Sequence, residues 1–227
     1  MQGVEGEKMN REEILKVAKP IIFSTDSVQG ILDNRKSQTR RVIKGLGNKW
    51  HVDRLLGDWH LSEPPYIKDG KLYWELQTDV DDSHVFKMNL PHKVGDILWV
   101  RETWCPAKRD FFYKADWERN DMGDMWQWKS PMYMPKAAAR IFLQVTDMRV
   151  ERLWNMNVND FLREGIKPIC GISTAPELVG AYADKYKEIW DKLNAKRGYP
   201  YDSNPWIWVI SFERVMIDDC KKCEEKS

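Results

Sequence analysis

Four cysteines and four histidines are all that 227 residues offer for thiolate or imidazole metal ligation. Cys105 and Cys170 stand alone, and Cys220 and Cys223 form a CxxC in a charged tail. His51, His60, His84 and His92 have no ligand spacing. A structural zinc site needs matched donors, so no metal and no other cofactor is expected. Signatures of the form GxGxxG, P-loop and HExxH are also missing, which turns the reading away from nucleotide-binding α/β enzymes and zinc proteases. No apolar run approaches the ~20 residues that cross a bilayer, and no signal-peptide pattern opens the chain. The reading is a soluble, cytoplasmic protein with no membrane partner. A charge excess is lacking too: 36 basic residues face 35 acidic ones, for a net charge of +1. That excludes a generally basic nucleic-acid coat, so any polyanion site must be local.

What is present suits a folded protein. With 42% apolar and 31% charged residues the chain can bury a core. Twelve tryptophans serve that core and also suit stacking on bases. The stretch Gly30 to Ile43 is the most informative. A short helix with Val28, Ile31 and Leu32 on one side leads into a polar turn, and the chain leaves as a strand. From Asn34 to Val52 there are six Lys or Arg (Arg35, Lys36, Arg40, Arg41, Lys44, Lys49) and no Asp or Glu. Such a field attracts phosphate or another anion.

The rest reads as strands with few helices. Asn10 and Glu13 form a capping box for a helix to about Ala18. Ile21 to Phe23 is a strand, and Ser24 or Thr25 caps the next helix. Residues 45–92 read as an insertion or long hairpin region containing a strand at Leu72 to Leu76. Ile97 to Trp104 is a strand rich in β formers. Residues 105–136 form a second insertion, with a short strand at Phe111 to Lys114. Order resumes at Lys136 to Val150, where Ile141, Leu143 and Val145 alternate with other residues. Asn157 caps a helix ending at Gly165. Thr174 and Glu177 form a second capping box for a helix with Leu178, Tyr182, Tyr186, Ile189 and Leu193 on one stripe. Trp206 to Val215 is the last strand.

No strand–helix–strand alternation appears. The expected fold is α+β: a mixed or antiparallel β-barrel with peripheral helices and two insertions. Residues 1–19 form an N-terminal extension, 20–217 a single domain and 218–227 a charged tail. A period of two puts Arg101 and Thr103 on one strand face, with Glu102 and Trp104 on the other. An Arg and a carboxylate in an apolar strand imply either an internal pair or a cleft, where Arg101 would contact phosphate or base and Glu102 would accept from an exocyclic amine. Lys136 and Arg140 could line the same mouth.

Four pieces taken in order, ILDNRKSQTRR, VGDILWVRETW, IFLQVTDMRVERL with a helix reaching REG, and PWIWVISFERV, resemble the ASCH domain, a branch of the PUA-like β-barrels. The resemblance covers most of residues 20–217 and is strongest to long phage- and prophage-encoded members. In that family a helix and a G-x-K-x-x-T-like turn face a cleft; here Asn34 stands where the Gly is usual. Some small members remove the acyl group from acetylated cytidine with a Lys, a Thr and a Glu, and Lys36, Thr39 and Glu164 match those positions. The resemblance thus implies Lys36, Thr39 and Glu164 as catalytic residues. Around them, Arg35, Arg40, Arg41, Arg101, Glu102, Trp104, Lys136 and Arg140 are the candidate contacts to RNA, a nucleoside or modified nucleic acid.

Amide hydrolysis needs a nucleophile, a proton acceptor and oxyanion donors. Thr39 would attack or position water, Lys36 would activate it and Glu164 would handle the proton. Repulsion by Arg35, Arg40 and Arg41 would favour the neutral amine this role asks of Lys36. Two other classes stay open: a non-catalytic reader of RNA, and a ribonuclease using Lys36, Arg41 and Glu164. Oligomeric state is not set by the sequence.

Overall fold

The computed structural model describes residues 9–44, 60–61, 65–77, 83–108, 110–117, 127–172 and 174–218. In chain order the strands and helices are β1 (Met9–Asn10), α1 (Arg11–Val17), β2 (Lys19–Ile22), α2 (Thr25–Leu32) and β3 (Gln38–Val42). Then come β4 (His60–Leu61), β5 (Tyr66–Lys68), β6 (Lys71–Gln77), β7 (Ser83–Asn89), β8 (Ile97–Arg101), β9 (Trp104–Pro106) and β10 (Phe111–Tyr113). The last are β11 (Phe142–Arg152), α3 (Val158–Arg163), α4 (Ala175–Asn194), β12 (Trp206–Arg214) and β13 (Ile217–Asp218). The architecture is mixed α+β, with several antiparallel sheets and four α-helices among the described residues. Among those residues no sheet closes on itself into a barrel. No helix is long and apolar enough to cross a membrane. The CxxC of Cys220 and Cys223 and the whole of the 45–59 stretch lie outside the described residues.

The chain forms two compact units. The first takes Met1–Ser37, Val94–Thr146 and Phe212–Ser227. Here β2 runs parallel to β8, and β8 antiparallel to β11. Pro20 is tolerated in β2 because this is an edge strand. Asn10 caps α1 by accepting from the Glu12 amide at 3.0 Å, and Ile14 drives the helix onto a core with Ala18, Ile97, Trp99, Trp104, Met134 and Phe142. The strand expected over 97–104 breaks after Arg101. The Glu102 amide is taken by Met134 Sδ at 3.2 Å, and Trp104 joins a separate ladder with Tyr113 and Lys129. Lys136–Ala138 is a 3₁₀ turn, so the following strand starts only at Phe142.

The second unit takes Gln38–Lys93 and Asp147–Ser211. There β3 pairs antiparallel with β12, Thr39 opposite Ile210 and Arg41 opposite Trp208. Helix α3 starts on a complete capping box between Asn157 and Asp160. Thr174 makes no such side-chain bond for α4, where Pro176 in the first turn already fixes the backbone. Tyr182, Tyr186 and Trp190 form the buried stripe of α4. Ile189 and Leu193, expected on it, are 47% and 48% exposed. The stripe is set by Phe161, whose ring stacks on Tyr182 and meets Tyr186 edge-on, at 5.8 and 5.7 Å between centroids. Strands β5, β6 and β7 form an antiparallel hairpin sheet. Its first turn is the two-residue Asp69–Gly70 loop, both with positive φ, 49° and 68°.

Candidate functional site

Helix α2 ends in a tight turn that fixes where Lys36 points. Asn34 adopts φ 57°, the left-handed region that a short polar side chain tolerates. The amides of Arg35 and Lys36 both donate to the Gly30 carbonyl, at 2.8 and 2.9 Å, and Ser37 O accepts from the Phe212 amide at 2.9 Å. Between these anchors Ser37 faces solvent while Lys36 is only 6% exposed. Its ammonium lies 5.9 Å from the centre of the Phe23 ring, which meets Phe212 edge-on at 5.9 Å. Lys36 lines a cavity of about 190 Å³ together with Ile31, Asn34, Ser37, Leu143, Phe212, Glu213 and Arg214. Two cations, one carboxylate and a hydroxyl thus surround an apolar floor. The volume lies below the roughly 300 Å³ at which drug-sized sites begin, and it suits a fragment such as a base or an acyl group. Arg35, at the rim of the turn, spends its Nε and Nη2 on Asp33 at 3.2 and 2.7 Å.

In the second unit the central residue is Arg40. Strand alternation turns Arg40 and Gln38 to one face, and the Arg40 side chain is wholly buried. Nη1 donates to Gln38 Oε1 at 3.0 Å and Glu164 Oε1 at 3.2 Å. Nη2 reaches Glu151 Oε1 at 3.2 Å and Asp160 Oδ1 at 2.9 Å. Arg149 braces the same acids, binding Glu151 and Asp160 at 3.2 Å each. Burial alone would lower the Arg40 pKa, but Glu164, Asp160 and Glu151 overcome it and hold it above its ordinary value. Tyr186 OH approaches Glu164 at 3.5 Å; burial first and then the Glu164 charge push that phenol well above 10. Arg41, half-buried on the opposite strand face, is lowered by burial. Thr39 is buried at 4% exposure. This arrangement holds charge in place: each carboxylate has a guanidinium partner.

A second buried pair sits in the first unit. Glu102, 1% exposed, takes a two-pronged bond from Arg140, both arms 2.9 Å. Arg140 also reaches Asp116 at 2.7 Å and lies 3.9 Å over the Tyr113 ring. Burial pushes the Glu102 carboxyl up against the pull of Arg140. Glu102 therefore pairs with Arg140, not with Arg101. Arg101 stands 5.5 Å from the Trp99 ring, and its Nε is buried without a hydrogen-bond partner among the described residues. Trp104 is core, edge-on to Phe111 at 5.7 Å, and Lys136 is half-buried in its 3₁₀ turn.

Lys36 thus belongs to the first unit, and Thr39 and Glu164 to the second. Sequence reasoning missed Phe23, Phe212 and Arg214 around Lys36, and Glu151, Asp160, Arg149 and Tyr186 around Arg40. One signal was available: the alternating acids and bases of Asp147, Arg149 and Glu151 share one strand face. Among the described residues no group of three His, Cys, Asp or Glu could hold a metal ion. Set against protein-family models, curated proteins and solved structures, the chain has no match.

Proposed function

We propose that the chain is an ASCH-type, PUA-like protein whose ligand is a nucleoside or a short piece of nucleic acid, received at the cavity beside Lys36. The observation that carries this reading is a buried ammonium on a cavity wall at the end of the α2 turn. The positive φ of Asn34 supports the resemblance, because the family places a glycine there. The finer fold assignment, a PUA-like barrel, rests on the order of the four sequence pieces. In the cavity Lys36 donates to a base carbonyl or phosphate, Phe212 supplies an apolar wall, and Glu213 accepts from an exocyclic amine.

Hydrolysis of an N-acylated cytidine is the chemistry that the resemblance implies, together with roles for Thr39 and Glu164. Binding without turnover is the second reading. It is favoured by Glu164, whose carboxylate already bonds Arg40 and Tyr186. Incubation of the protein with acetylcytidine, followed by chromatography, separates the two. Hydrolysis predicts release of cytidine that is lost in Lys36→Ala and in Glu164→Gln. Turnover that survives in Lys36→Ala would remove Lys36 from the site, and binding with no release would leave the reader.

A further inference from the structure

The hairpin sheet of the second unit presents a surface that the Lys36 reading does not use. Opposed residues of antiparallel strands project to the same face. The register sets Tyr66 across from Tyr73, and Tyr73 across from Lys87. In the next row on that face, Lys68 is opposite Lys71 and Lys71 opposite Asn89. The intervening residues of β6, Leu72 and Trp74, are buried, so the Tyr and Lys face is the outward one. Tyr66 is 51% exposed. Its ring lies nearly parallel to that of Tyr73, 13° apart with centroids at 5.6 Å. Lys68 and Lys87 are exposed and Lys71 half-buried. Against these cations Glu75 is the one carboxylate of β5, β6 and β7 on the same face.

We propose that this face binds single-stranded nucleic acid, with unpaired bases stacking on the Tyr66–Tyr73 rings and phosphates taken by Lys68, Lys71 and Lys87. Each feature points to that ligand. A flat ring fixed by a cross-strand partner stacks on a base at little entropic cost, and every base has a π face. A duplex hides those faces between neighbouring pairs. The three cations match a polyanion, and such contacts release counterions. The hairpin, a strand signal inside the 45–92 insertion, thereby acquires a function, and the inference does not need the Lys36 cavity.

The test is fluorescence anisotropy of the full chain with labelled oligouridylate, oligothymidylate and a duplex of equal length, across a salt series. Both single strands should bind more tightly than the duplex. The Tyr66→Ala/Tyr73→Ala variant should bind about tenfold more weakly or worse, while Tyr66→Phe/Tyr73→Phe stays near wild type. Tyr66→Ala alone, at an exposed position, keeps the test sound should loss of Tyr73 disturb the hairpin. Lys68→Gln/Lys71→Gln/Lys87→Gln should flatten the log–log salt slope by about 2. Unchanged affinity in the Tyr-to-Ala variants, equal binding of duplex, or no binding by the wild-type chain would overturn the proposal. Loss confined to Lys36→Ala would also overturn it, and would leave the cavity reading standing.

Discussion

Lys36 and Arg40 lie in one basic stretch of sequence, yet the two cations have opposite surroundings. Arg40 is enclosed by Glu151, Asp160 and Glu164, with Gln38 completing its bonds. Lys36 sits on a cavity wall beside aromatic rings and a second cation, Arg214. A count of basic residues treats the two as equal contributors to a positive field. Their surroundings differ: Arg40 is held by three carboxylates inside its own unit, Arg35 bonds Asp33, and Lys36 lines a cavity with Phe212, Glu213 and Arg214. Local charge excess therefore does not tell a cation held by carboxylates from one that lines a cavity.

The largest effect should come from removing Arg40. Arg40→Met should cost about 3–5 kcal/mol, because three carboxylates lose the guanidinium that burial makes them depend on; denaturant titration would read it. Lys36→Ala, by contrast, should cost less stability than Arg40→Met while impairing ligand binding. If Arg40→Met were silent, the ion cluster would not be what holds the second unit.

A pH dependence comes next in size, from the buried phenol beside a third guanidinium. Tyr113 packs under Arg140 and donates to Ala138 O at 2.7 Å. Burial, the largest influence, pushes its phenol from 10 up to about 12. The unfolded chain gives up that proton first, so this contribution is complete below about pH 10 and is lost as pH rises toward 12. Tyr113→Phe should flatten the fall in stability across that window, measured by thermal unfolding at a series of pH values. The smallest effect belongs to Arg35. Its pair with Asp33 is largely solvated, so Arg35→Ala should change stability by about 0.5 kcal/mol or less.

Much of this fold was legible in the sequence, and the reasons differ by element. Strands β8, β11 and β12 announce themselves through runs of β-branched and aromatic residues. Helix α3 was legible through Asn157, whose side chain does cap it. The interruption at Glu102 was not, because it arises from a sulfur acceptor and an arginine that are distant in the chain. The α4 stripe was misread for a related reason: Ile189 and Leu193 fit the period as well as Trp190 does, and only the Phe161 ring decides between them. Among the candidate residues, Lys36, Arg40 and Glu164 were each singled out, but not the aromatic rings beside Lys36 or Glu151 and Asp160 beside Arg40. Strand β3 carries an arginine on each face, and only Val42, which shares the Arg40 face, tells which arginine turns inward.

The most direct test of the Lys36 cavity is calorimetric titration of acetylcytidine into the wild-type protein and into Lys36→Ala. The wild type should bind saturably, and binding should weaken about tenfold or more when the charge-assisted bond is lost. Equal affinity in the two proteins, or no heat of binding in the wild type, would contradict it.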